Sequence, residues 1–230
     1  VRLSHSHIRI GTFQRAAYLD DKALLERLTD YALRHLYDEA PGADPAAQLL
    51  GRVVERTADL AASYMVAGFV HGVLNTDNMN ISGESFDYGP WRFLPRWDPG
   101  FTAAYFDHQG LYAFGRQPEA LHWNCGQLAV ALRLLADAPP LIAAMERFGP
   151  LYMEAIGRRW CWRLGVASRG PEADGRLVAA CEKALSDSAT APDAFFFAHR
   201  GGRGAKGSLA EAFAGYEPVA GAHPYWNGGG

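Results

Sequence analysis

The sequence predicts an α+β protein that is predominantly helical, and three observations predict it. Over most of the chain apolar residues recur at intervals of three and four, the spacing of one face of a helix. Strand-like pieces are few and short, at the start of the chain and around Met79-Asn80-Ile81-Ser82. Between the helical halves lies an irregular, aromatic-rich stretch running to about Arg116. The 230 residues are 49% hydrophobic and 20% charged, the composition of an ordinary globular protein. The formal net charge is −3, so no global basic field draws the chain to nucleic acid or a membrane surface. No apolar run approaches the roughly 20 residues of a membrane span.

The segment from Val1 to Phe13 reads as extended or turn-like, which would set His5, His7, Arg9 and Gly11 on one side. Arg2 and Arg9 are its cations. They are either solvated or a phosphate clamp, because a guanidinium fork matches phosphate oxygens. The pair His5-x-His7 lacks a third ligand for a metal. The opening on Val1 fits a fragment or a processed product.

Asp20 or Asp21 is expected to cap a helix to about Tyr37, with Leu24, Leu25, Leu28, Tyr31, Ala32 and Leu36 on one stripe. Pro41 to Pro45 breaks it. Asp44 with Pro45 opens a second helix to about Val66, buried through Leu49, Val53, Leu60, Tyr64 and Met65, and Gly68 ends it. Beyond Asp87-Tyr88-Gly89 the prolines and glycines punctuate a run filled by Trp91, Phe93, Trp97, Phe101, Tyr105, Phe106, Tyr112 and Phe114. With little interleaved basic charge, this run is a self-packed loop and not a base-stacking platform. Three helical segments follow, from Pro118 to about Ala136, from Pro140 to about Leu164 with Gly149-Pro150 as a point of breakage, and from Glu172 to about Ser186. The glycine-rich piece Gly201 to Ser208 runs Lys206-Gly207-Ser208, the wrong order for a phosphate-binding loop. It is expected to begin a flexible tail over 201–230, leaving 1–200 as the folded region. Cys125, Cys161 and Cys181 are odd in number and widely spaced, which points to reduced thiols in a cytoplasmic compartment.

The chemistry concentrates in His71-Gly72-Val73-Leu74-Asn75-Thr76-Asp77-Asn78-Met79-Asn80-Ile81, followed by Asp87-Tyr88-Gly89. A long helix, a polar loop ending in asparagine, a short hairpin and an Asp-x-Gly turn is the order in which kinases hold the metal ions of a nucleotide. Asn78 and Asp87 would be the metal pair. The kinase base would fall on Val73, which cannot take a proton, and Asp77 is the nearest carboxylate. Asn, Thr, Asp and Gly are also plain turn formers, so the loop alone is weak evidence.

The string from Gly68 to Met79 resembles the selenoprotein O family of protein adenylyltransferases. Phe86-Asp87-Tyr88-Gly89-Pro90, Asp98-Pro99-Gly100-Phe101, Asp107-His108-Gln109-Gly110, Gln117-Pro118 and, upstream, Ser6 to Gln14 are similar to the same family in the same order. The resemblance is strong to about Leu135 and fades beyond. It implies the C-terminal lobe of an atypical kinase-like fold, or pseudokinase, that binds ATP in a flipped orientation and transfers AMP to Ser, Thr or Tyr hydroxyls of proteins. It implies Asp77 as proton acceptor, Asn78 and Asp87 as ligands of magnesium or manganese, Asp87 as a further ATP contact, and Arg2 and Arg9 on the phosphates. A eukaryotic member would be mitochondrial. The family's N-terminal lobe, with its glycine-rich loop, lysine and glutamate, would lie upstream of Val1, and weak or no activity is expected of this chain alone. A kinase-like phosphotransferase and a catalytically dead binding module remain as alternatives.

Overall fold

The computed structural model describes residues 4–219. Helix α1, Ile10–Tyr18, already departs from the extended reading of the first segment. Its sequence offers no capping side chain. The helix forms because Ile10, Phe13 and Ala16, three apart, are all buried, and because its first amides find carbonyls elsewhere, Ile10 N–H on Met79 O (3.1 Å) and Gly11 N–H on Thr76 O (3.0 Å). Among the described residues before it, Arg9 is extended (φ −98°, ψ 160°) and forms an antiparallel bridge with Asn80.

Helix α2, Lys22–Leu36, starts as expected, with the Asp21 carboxylate accepting from Leu24 N–H at 2.9 Å. Helix α3, Pro45–Ala67, has the Asp44 cap (3.0 Å from Ala47 N–H) and proline in its first turn. It ends at Gly68, whose φ of 65° is the left-handed conformation glycine adopts without steric cost. Helix α3 is the axis of the molecule. One side packs on a core of Ile10, Phe13, Leu33, Leu49, Val53, Leu121 and Leu128. The other packs on a core of Val70, Phe114, Trp160, Leu177 and Phe196. A two-stranded antiparallel sheet, β1 (Phe69–Val70) with β2 (Arg92–Phe93), pairs Phe69 with Phe93 and Val70 with Arg92.

A single 3₁₀ turn, Phe114–Arg116, leads into helix α4, Gln117–Leu132. The long helix expected from Pro140 is two, α5 (Ala138–Glu146) and α6 (Phe148–Leu164). The junction is Arg147, not Gly149-Pro150. Pro150 then sits in the first turn of α6, where its missing N–H has no intrahelical acceptor to satisfy. Helix α7 spans Pro171–Ser186 and α8 spans Pro192–Ala198.

The glycine-rich segment assigned to a flexible tail is, as far as residue 219, packed. Helix α9, Ser208–Phe213, buries Leu209 and Phe213. The chain then returns to α6, with Ala167 N–H on Glu217 O and Val219 N–H on Gly165 O, each at 2.9 Å. The glycines supply turns at positive φ, and the apolar pair four apart supplies the anchor that their flexibility conceals.

Asp174 ties this return to α7. It is buried and accepts from Ser168 Oγ, from Arg169 N–H (3.0 Å) and from Tyr216 O–H (2.8 Å). Burial alone would raise its carboxyl pKa, but these bonds outweigh it and hold the pKa below the ordinary value. A depressed folded-state pKa contributes stability that is present above the unfolded value and lost as pH falls through the folded one. Thermal denaturation followed across pH is therefore expected to show an acid limb beginning near pH 4, where an unfolded aspartate protonates. That limb is expected to flatten in Asp174→Asn. The thiols of Cys125, Cys161 and Cys181 are unbridged and buried, and burial pushes each up to about 12, so they are protonated at neutral pH. Among the described residues no helix is long and apolar enough to cross a membrane.

Candidate active site

The loop after β1 is fixed at three points by side-chain amides. Gln117, at the start of α4, donates from Nε2 to Phe69 O (2.8 Å) and accepts from His71 N–H (2.9 Å). It thus serves as a strand partner where there is no strand. Two turns further along the same face of α4, Asn124 Nδ2 donates to Leu74 O at 2.7 Å. Within the loop Asn78 Nδ2 donates to Val73 O at 2.9 Å. His71 itself is fully buried, its ring stacked on Tyr88 at 5.8 Å. Gly72 has φ 89°, and a Cβ there would lie 3.0 Å from the Pro90 ring and 3.2 Å from Ala103. The aromatic-rich segment therefore packs directly against the loop.

Asn75 shapes the outward turn. Its Oδ1 accepts from Asp77 N–H (3.0 Å) and its carbonyl from Asn78 N–H (3.0 Å), an Asx-type turn with Asp77 at its outer end. Asp77 is accordingly exposed. The chain then enters a tight hairpin. Met79 bridges Ser85, Asn80 N–H meets Glu84 O, and Phe86 N–H meets Asn78 O at 3.1 Å. The expected strand at Met79 is thus one arm of a hairpin of isolated bridges. Its inner side is held by Tyr37 O–H on Ile81 O (2.8 Å) and by Asn80, buried and donating to Ser6 O. Because Asn78 and Phe86 oppose each other, Asp87 lies one residue beyond Asn78 across the hairpin.

Arg9 closes the cluster. Its guanidinium lies 3.9 Å from Asp77 Oδ1 and 5.2 Å from the centre of the Phe86 ring. The fold thus brings Arg9 beside Asp77 from a distant part of the chain, with Asp87 following the residue that pairs with Asn78. Arg2 lies outside the described residues. His5 and His7 do not converge on a shared ligand: His5 Nδ1 pairs with Glu84 at 3.0 Å, and His7 packs edge-on against Phe86 at 5.7 Å.

Among the described residues no group of three or more His, Cys, Asp or Glu is placed to hold a metal. A magnesium ion does not demand one, since it binds through one or two protein oxygens and takes its remaining ligands from phosphates and water. Asn78 and Asp87 carry oxygens of the kind that mode uses. The Asn78 amide nitrogen is committed to Val73 O, which leaves its oxygen as the group to offer. Asp87 is exposed. A hollow of about 770 Å³ between α3, α6 and α8 touches this region only through Tyr88 and contains none of Asp77, Asn78 or Asp87.

The model of the family described as protein adenylyltransferase SelO matches residues 1–207. The chain belongs to the SelO family. Proteins named protein nucleotidyltransferase YdiU are similar to it: that of Synechococcus elongatus is 47% identical over 167 residues, 72% of this chain and 34% of that protein. The Gloeobacter violaceus protein is 42% identical over 198 residues, 85% of this chain and 41% of its own length. The Vibrio cholerae protein is 42% identical over 180 residues, 78% of this chain and 37% of its own. The chain thus spans well under half the length of these SelO relatives.

Proposed function

We propose that this chain carries the metal loop and the proton acceptor of a magnesium-dependent protein adenylyltransferase, on the C-terminal lobe of a kinase-like fold. The observation that carries the reading is the exposed Asp77 carboxylate, set by an Asx turn next to Asn78 and 3.9 Å from the Arg9 guanidinium, while position 73 is a valine.

The reaction asks a Ser, Thr or Tyr hydroxyl of a protein to attack the α-phosphorus of ATP. The new bond is acceptor oxygen to phosphorus, the α–β bridging bond breaks, and pyrophosphate leaves. Asp77 takes the hydroxyl proton, which makes the oxygen a competent nucleophile. Asn78 and Asp87 would hold magnesium, or manganese, whose charge neutralises the phosphates. Arg9, with Arg2, holds phosphate oxygens through guanidinium donors. At 3.9 Å from Asp77, Arg9 also places the phosphates it grips beside the carboxylate that takes the proton.

Incubation of the protein with magnesium and ATP labelled at either the α- or the γ-phosphate tests the reading. Weak label from the α position on protein from this chain alone, stronger from the full-length protein that contains it, with none from γ, is the expected result. Transfer of the γ label would establish a phosphotransferase instead. Absence of any magnesium-dependent stabilisation by ATP in thermal denaturation would point to a binding module with a dead site.

A further inference from the structure

We infer that Gly11 is a positioning residue for Asp77, and that the missing side chain at position 11 is what lets the carboxylate occupy its working place. The inference rests on Asp77 being the proton acceptor. Gly11 lies in the first turn of α1. It is not among the glycines with positive φ, so its backbone conformation is open to any residue, and glycine there is the less favourable choice for a helix. The local sequence therefore gives no reason for it.

The reason is across the gap. A Cβ at Gly11 would stand 2.2 Å from Asp77 Oδ1 and 3.1 Å from Asp77 Cγ, well inside van der Waals contact. The same oxygen faces the Arg9 guanidinium at 3.9 Å. The Gly11 amide donates to Thr76 O at 3.0 Å, and the Ile10 amide to Met79 O at 3.1 Å, so the turn of α1 is bonded to both sides of Asp77-Asn78 and cannot back away. The exposed Asp77 carboxylate thus lies with one oxygen against a bare Cα and the Arg9 guanidinium beside it.

What a methyl group would displace is the end of a side chain. The nearest backbone atom, Thr76 O, would be at 3.7 Å, an ordinary contact. Gly11→Ala is therefore expected to fold with an unchanged or raised melting temperature and to bind magnesium-ATP within about twofold of the parent. Its AMP transfer is expected to fall by at least about tenfold, in kcat and not in the KM for ATP, the pattern of a lost transition-state interaction. Combined with Asp77→Asn it should add little further loss, because both changes remove the same interaction. Wild-type kcat in Gly11→Ala, a fully additive double variant, or a variant that does not fold would each overturn the inference.

A second measurement does not depend on transfer. In a crystal structure of Gly11→Ala the Asp77 carboxylate is expected to be displaced by about 1 Å or more, with the Gly11 N–H to Thr76 O bond kept. An unmoved carboxylate would overturn the positioning role whether or not this chain transfers AMP by itself, whereas absence of transfer by the full-length protein that contains it would count against the adenylyltransferase reading instead.

Discussion

Asp77→Asn is expected to lower AMP transfer by about 10²- to 10⁴-fold, the usual contribution of a positioned proton acceptor, while magnesium-ATP binding is retained. The substitution is isosteric, and the turn that sets residue 77 uses its backbone amide on Asn75 Oδ1, which asparagine preserves. The Arg9 contact is lost, but an ion pair at 3.9 Å between exposed side chains is worth little. What asparagine cannot do is accept the proton of the attacking hydroxyl. Transfer of α-label in Asp77→Asn within a few-fold of wild type, with ATP still bound, would remove Asp77 from the reaction. No other side chain of the loop is placed to take the role: valine and the side-chain amides do not accept a proton, and His71 is fully buried.

The residues that made this loop legible are those whose local chemistry is also their function. Asn75, Asp77 and Asn78 are turn formers, and the turn they form is the site. The caps of α2 and α3 were legible for the same reason, since Asp21 and Asp44 act on amides three residues away. Where the deciding partner is distant, the sequence is mute. Helix α1 depends on Met79 and Thr76 carbonyls for its first turn, so a short segment holding Gly11 and Thr12 reads as extended. The packed return beyond residue 201 depends on Asp174, more than forty residues from its partner Tyr216 in a segment otherwise dominated by glycine. The Arg9 to Asp77 proximity was not legible at all, since the family resemblance implies only that Arg9 holds phosphates. Residue types alone favoured Arg9 as a solvated cation.

Gln117 is the clearest case of a site residue hidden by its type, and its replacement carries the largest expected loss of stability. A polar amide at the head of a helix ordinarily faces water, yet Gln117 and Asn124, seven residues apart on α4, are both fully buried. Gln117→Leu keeps roughly the volume and removes both bonds, leaving Phe69 O and His71 N–H without the partner that this side chain supplies. A buried backbone group that loses its partner costs about 1–3 kcal/mol, so the expected destabilisation is about 2–6 kcal/mol. At about 2–4 °C per kcal/mol for a protein of this size, that is a fall in melting temperature of several to about 20 °C. Asn124→Leu strips the side-chain partner from Leu74 O and also from Ala120 O, which lies within the same helix. It is expected to cost about half as much. The two variants separate the ways the loop can be held. If entry into the loop were governed by the β1–β2 pairing, Gln117→Leu would cost no more than Asn124→Leu. If α4 is the frame, the larger loss falls at Gln117, and it is accompanied by loss of AMP transfer in protein that is still folded at the assay temperature, because the segment released is the one that delivers His71 to Asn78 into place.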